Sequence, residues 1–196
     1  MSSEAKVLLL PARTPDIKGR SLFYLFSVRQ VAEVLLNTTF QRVPSALPYV
    51  RGVAEWCGRA LPVLSLERCL GLEIRADRMP LRDVVVRNVT YSDGGQLQED
   101  YAICRVGAAI RHMELPLECE PEKVPDWITD ASCLTAVYSM PATVLLVVNP
   151  EKIINAIKRK QNLSSPAAAE AGGAAAQPSP IGCSNGTEGY DGLVQG

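Results

Sequence analysis

The chain has 196 residues, 47% of them hydrophobic, with 20 Lys and Arg against 21 Asp and Glu for a formal charge of −1. That length carries one domain with a core, or a domain and a tail. The charge balance excludes the basic surplus of a nucleic-acid-binding surface, and no apolar run approaches the ~18 residues that would span a bilayer.

Val7 to Pro11 is too short for the apolar region of a signal peptide and has only Lys6 as a basic flank, so a soluble, cytoplasmic protein is expected. After Lys6 the run to Ala12 (KVLLLPA) is apolar and reads as a strand buried on both faces or a barrel-closing strand. Thr14 to Arg20 has turn chemistry through Pro15, Asp16 and Gly19, and the aromatic-rich Ser21 to Ser27 is the next strand. Val28, Val31, Val34 and Leu35 fall at near-helical spacing with Arg29, Gln30 and Glu33 between them, which predicts an amphipathic turn or short helix. Asn37 to Phe40 is expected to return as a strand.

Arg42 to Leu72 organises the rest. Pro44, Pro48 and Pro62 forbid one long helix. Val53 to Cys57 and Ala60 to Leu66 are two β-prone runs around Gly58, which reads as a hairpin. Leu66 to Leu72 has helical spacing, with Glu67 and Arg68 expected on its solvent face and Gly71 at its stop.

Arg75 to Arg82 reads as a loop, Asp83 to Tyr91 as a strand, and Asp93-Gly94-Gly95 as a hairpin turn leading to a strand over Tyr101 to Val106. Leu117 to Ile128, broken by Pro121 and Pro125, is expected to be an irregular connection in which Glu118, Glu120 and Glu122 are solvated. Cys133 to Ser139 and Thr143 to Val148 are the last strands, joined by Met140-Pro141-Ala142. Asn149 and Pro150 suit the cap and first position of a helix whose buried face is Ile153, Ile154 and Ile157. From 163 to 196 the composition turns to Ala, Gly, Pro and Ser, a tail that cannot bury enough surface to order itself. The folded domain is expected over 1–162.

The stretch Val50-Arg51-Gly52-Val53, Glu55-Trp56-Cys57-Gly58, Leu61-Pro62-Val63-Leu64-Ser65-Leu66 and Leu70-Gly71-Leu72 resembles the signature of the CheW-like family. Val31-Ala32-Glu33-Val34-Leu35 and the Asn149-Pro150 join resemble it too, so the likeness spans about residues 6 to 158. An aromatic residue before the turn, Trp56, is closer to the surface-sensing, WspB-like branch. The resemblance implies a mainly β fold of two small SH3-like five-stranded barrels with a hydrophobic seam between them, short helices and a C-terminal helix. It also implies a non-enzymatic chemotaxis adaptor, whose partners are the regulatory domain of a CheA-type histidine kinase and the cytoplasmic tip of a chemoreceptor.

By the same resemblance the partner-binding positions are Val50, Arg51, Gly52, Trp56, Cys57, Gly58, Arg59 and Pro62. Two departures stand out: Cys57 replaces the family's Arg before the turn Gly, and Ser65 replaces the usual Asp. They favour an alternative in which a divergent binding module of the same fold has a different partner, such as a response regulator or a pilus or surface-sensing system. Exposed barrel edges also allow self-association.

Catalytic signatures are missing: no GxSxG, HExxH, Walker-type loop or GxGxxG occurs, so no enzyme activity and no cofactor is expected. His112 is the lone imidazole and is expected at a surface or strand edge. Cys57, Cys69, Cys104, Cys119, Cys133 and Cys183 contain no CxxC pair and read as reduced, mostly buried thiols rather than a metal site. Cys57 would be modifiable only if Arg51 and Arg59 make its setting electropositive.

Overall fold

The computed structural model describes residues 6–36, 38–43, 47–74, 80–91, 94–115 and 118–164, with side chains through 160. Expectations that fall on Asn37, Pro44, 75–79, Asp93, Cys183 and the tail segment 165–196 lie outside the described residues.

Among the described residues eleven strands form two sheets, as the resemblance implies. The first holds β1 (Lys6–Pro11), β2 (Ser21–Ser27), β8 (Arg111–Glu114), β9 (Glu120–Glu122), β10 (Leu134–Met140) and β11 (Thr143–Val148), in the order β8-β1-β2-β11-β10-β9. The second is one continuous excursion between β2 and β8: β3 (Val31–Leu35), β4 (Val50–Trp56), β5 (Arg59–Leu64), β6 (Leu81–Tyr91) and β7 (Leu97–Gly107), in the order β3-β6-β7-β5-β4. β9 gives the first sheet one strand more than expected.

Strand periodicity explains why the apolar runs are unbroken. Successive side chains point to opposite faces, and here both faces are covered. Leu9, Phe23 and Leu145 fill the inside of the first barrel; Ala54, Leu61, Val63, Val85 and Ile103 fill the second. Their chain neighbours Leu10, Leu22, Tyr24, Val144, Leu146, Leu64, Val84, Val86, Ala102 and Cys104 turn the other way, into a seam between the barrels. α2 (Pro150–Ser164) lays Ile153, Ile154 and Ile157 on that seam. Its first turn is capped as expected, with Lys152 N–H donating to Asn149 Oδ1 at 3.3 Å. α2 carries residues 163 and 164, the first two of the expected tail.

The helix expected near Val28 is a single 3₁₀ turn, Val28–Gln30, followed by strand β3. β-branched residues favour the strand, and a bulge between Val31 and Glu33 lets Val31 pack on the seam while Leu35 packs inside the second barrel. That face switch imitates helical spacing.

Thr38 to Phe40 is not a strand. It leads to one isolated bridge in which Gln41 and Val53 exchange two backbone bonds of 2.8 Å, closing the second sheet from the β3 side onto β4. Asp83 holds this crossing: it accepts from Thr38 N–H at 3.1 Å and takes both arms of Arg105 at 2.7 Å.

Three further expectations are corrected. β6 begins at Leu81, inside the expected loop. Glu120–Glu122 is a strand, and Glu122 is not merely solvated, because Arg20 grips it with two bonds of 2.9 and 3.0 Å. Glu67 is fully buried rather than on a solvent face. It sits in α1 (Leu66–Cys69), which is only one turn long and is wedged against the seam.

Candidate functional site: the β4–β5 hairpin

β4 and β5 pair in register from Val50↔Leu64 to Trp56↔Arg59, which leaves Cys57 and Gly58 as a two-residue loop. Both have positive φ, 48° and 70°, the pairing that defines a type I′ turn. The hairpin read from the sequence is therefore present.

Gly52 and Gly58 serve different ends. Nothing lies within 4 Å of a Cβ built on Gly58, so its role is the left-handed turn conformation. A Cβ on Gly52 would lie 2.2 Å from Gln41 O and 2.7 Å from Phe40 Cδ2, so Gly52 is the opening through which the closing segment crosses β4.

The eight expected positions do not form one surface. A bulge between Val50 and Gly52 sends Val50 to the seam, while Gly52, Ala54 and Trp56 face the second barrel. Arg51 and Pro62 lie on the hairpin's outer side. Arg51 is pushed below the ordinary arginine range, first by burial and then by the charges of Arg68, Arg13, Arg42 and Arg105. Among the described residues no carboxylate pairs with Arg42, Arg51 or Arg68, and the charges of Arg42 and Arg68 both reach Arg51.

The tip carries an aromatic patch. The Trp56 ring tilts against Tyr101 with centroids 5.1 Å apart, and its Nε1–H donates to Glu33 Oε2 at 2.7 Å. The Arg59 guanidinium lies 5.5 Å from the Tyr101 centroid, a cation–π distance. Tyr101 O–H donates to Glu99, which raises the phenol pKa, and Glu99 also faces Arg87 at 3.9 Å. Trp56 and Tyr101 are half-buried, while Cys57, Gly58 and Arg59 are exposed.

Sequence reasoning missed the continuation of this patch. β3 pairs β6 only over Asp83 to Val86, and β5 pairs β7 only at Ile103 and Cys104, yet β6 and β7 stay paired out to Tyr91↔Leu97. The free ribbon carries Arg87, Val89 and Tyr91 opposite Tyr101, Glu99 and Leu97, with Tyr91 76% and Leu97 56% exposed. The alternation in RNVTY and LQEDY was the available signal.

A family model for the CheW-like domain matches residues 16–158. The chain belongs to the CheW-like family. The fold is also that of a solved structure, the scaffolding protein TtCheW from Thermoanaerobacter tengcongensis. The two superpose with a TM-score of 0.55 at 14% identity, over 76% of this chain and 87% of that one. No curated protein sequence matches.

The two departures from the CheW-like pattern differ in kind. Cys57 is at the exposed tip, so the substitution alters a surface. Ser65 is fully buried: its hydroxyl accepts from Arg13 Nη2 at 3.0 Å, donates to Glu67 Oε2 at 2.8 Å and caps α1. It belongs to the interior, where a second carboxylate beside Glu67 would add like-charge repulsion.

An open depression of about 620 Å³ is lined by Glu118, Cys119, Glu120, Ser139, Met140 and Pro141. It does not assemble an acid–base pair: Glu122 is held by Arg20, and His112 is exposed on β8, at the opposite edge of the sheet from β9. Among the described residues no cluster is arranged to hold a metal ion, and no helix is long and apolar enough to cross a membrane.

Proposed function

We propose that this CheW-like domain is a non-enzymatic signalling adaptor that joins the regulatory domain of a CheA-type histidine kinase to the cytoplasmic tip of a chemoreceptor. The observation that carries the reading is the β4–β5 hairpin. Its rigid type I′ tip holds Trp56 and Arg59 against Tyr101 at the end of the second barrel. Half-buried aromatics beside arginine are the side chains that anchor protein interfaces. Arg51, on the hairpin's outer side and subject to the charges of Arg68 and Arg42, suits an acidic partner and would steer its approach. The same reading takes Trp56 as a mark of the surface-sensing, WspB-like branch.

The test is a titration of the full chain against the regulatory domain of the CheA-type kinase encoded beside it, and against a receptor-tip fragment. Micromolar or tighter binding to both, weakened at least tenfold by Arg59→Glu in a normally folded variant, is the expected result. Binding to neither by a folded chain would overturn the reading. Cys57 in place of the family's Arg would then point to the divergent module, to be titrated against response regulators of pilus or surface-sensing systems.

A further inference from the structure

Cys69 is the last residue of α1, and Cys133 ends the turn that enters β10. Their segments are packed backbone to backbone: Thr129 N–H donates to Leu70 C=O at 3.2 Å, and a Cβ on Gly71 would lie 1.7 Å from Thr129 Oγ1. Within this contact Cys69 and Cys133 line the same groove, and each thiol is the largest influence on the other's proton affinity. Neither cysteine is in a disulfide.

The pair has a route to solvent. Both side chains line a groove of about 530 Å³ whose other walls include Tyr49, Ser132, Lys152 and Arg159. Cys69 is only 6% exposed and Cys133 2%, so the groove can admit only a small molecule to the pair.

The setting also activates one sulfur. Lys152 Nζ lies 3.4 Å from Leu134 O, beside Cys133 in the chain. Cys69 chiefly, with help from Lys152, holds the Cys133 thiol below its ordinary range against the opposing effects of burial and Asp130. Cys133, then burial, pushes Cys69 up. A thiol whose proton is held less tightly beside one whose proton is held more tightly is the arrangement of an attacking and a resolving cysteine.

We propose that Cys69 and Cys133 are a redox site that closes to a reversible disulfide when a hydroperoxide enters the groove. The Cys133 thiolate attacks one peroxide oxygen and the O–O bond breaks. The departing hydroxide takes up a proton as water, and Cys133 becomes a sulfenic acid. The Cys69 sulfur then attacks Cys133, the S–O bond breaks, and the oxygen leaves as water with the proton Cys69 gives up. Two thiols and one hydrogen peroxide yield one disulfide and two waters: the sulfurs lose two electrons and the peroxide gains them. The new bond joins α1, which follows the second barrel's β5, to the segment that opens the first barrel's β10.

The test treats the full chain with graded hydrogen peroxide, alkylates remaining thiols, digests without reduction and maps the peptides by mass. A linked pair of peptides carrying Cys69 and Cys133 is expected at peroxide doses that leave most of Cys57 and Cys119 alkylated. Dithiothreitol should remove it. Cys69→Ser should abolish the link and raise dimedone-trapped sulfenic acid at Cys133 several-fold. Recovery of Cys69 and Cys133 as thiols at doses that oxidise Cys57 or Cys119 would overturn the proposal. Disulfides that pair either one with Cys104 or Cys183 instead would also overturn it.

Discussion

Arg13 Nη2 meets Glu67 Oε2 at 2.7 Å with the two side chains 8% and 0% exposed. Arg13 follows β1 of the first barrel and Glu67 lies in α1 after β5 of the second, so this ion pair joins the barrels through the seam. Arg13 N–H also donates to Glu67 Oε1 at 3.0 Å, and the Ser65 hydroxyl takes the remaining position. Charges this deep are tolerated only when each oxygen is satisfied. Burial pushes the Glu67 carboxyl up, but the Arg13 hydrogen bonds and charge outweigh it and hold the carboxyl below its ordinary 4.5.

Glu67→Gln leaves the Arg13 charge buried without a counterion, so a loss of about 3–5 kcal/mol is expected. Because the folded pKa lies below the unfolded one, ionised Glu67 stabilises fully above pH 4.5 and that contribution fades as pH falls through the folded value. Urea unfolding across an acid series checks both. The wild chain should lose stability below about pH 4.5, and Glu67→Gln should lose less over the same range.

Gly52 and Gly58 should respond differently to alanine. At Gly52 the obstacle is the Gln41 carbonyl, a backbone atom held by the bridge to Val53, in a segment that the Asp83–Arg105 pair anchors at Thr38. Relief means opening the barrel, so about 3 kcal/mol is expected, the upper part of the range for overpacking. Gly58→Ala meets open space and costs only the left-handed penalty of about 1–2 kcal/mol. Denaturation midpoints decide the order, and an equal cost at both sites would refute the account of Gly52.

How much of this was legible depends on whether a signal was local. The β4–β5 hairpin, the Asn149 cap and the isoleucine face of α2 all follow from residues within one turn of each other, and their sequence readings agree with the structure. The Arg13–Glu67 pair spans 54 positions, and each partner taken alone looks like a surface charge. β3 was hidden by a bulge that switched its buried face, and the ribbon of β6 and β7 by uncertainty over where neighbouring strands end. Of the eight expected binding positions, only Trp56, Cys57, Gly58 and Arg59 share the tip, because a bulge and strand alternation send the others elsewhere.

Cys57 holds a left-handed φ of 48°, which costs a non-glycine residue about 1–2 kcal/mol and costs asparagine less. Asn-Gly is the preferred type I′ pair. Cys57→Asn is therefore expected to stabilise the domain by about 0.5–1 kcal/mol, a fraction of that penalty. Cys57→Val, β-branched at the same φ, should destabilise by about 1 kcal/mol or more. Thermal unfolding of the two variants checks the sign in each case.

Trp56 is asked to do two things, and its variants separate them. Its ring packs on the second barrel's core and on Tyr101, while its Nε1–H is committed to Glu33. Trp56→Phe keeps most of the packing and loses a bond on an exposed carboxylate, so stability should fall by about 1 kcal/mol. Trp56→Ala removes the ring from a half-buried site and should cost about 2–3 kcal/mol, below the cost of a fully buried aromatic. Arg59→Glu, on an exposed side chain, should stay within about 0.5 kcal/mol of the wild chain. If the tip is a binding surface, partner affinity will follow another order: Arg59→Glu will weaken it more than Trp56→Phe. Parallel unfolding and titration curves measure both orders. If affinity merely tracks stability through all three variants, the tip is part of the core and the partner docks elsewhere.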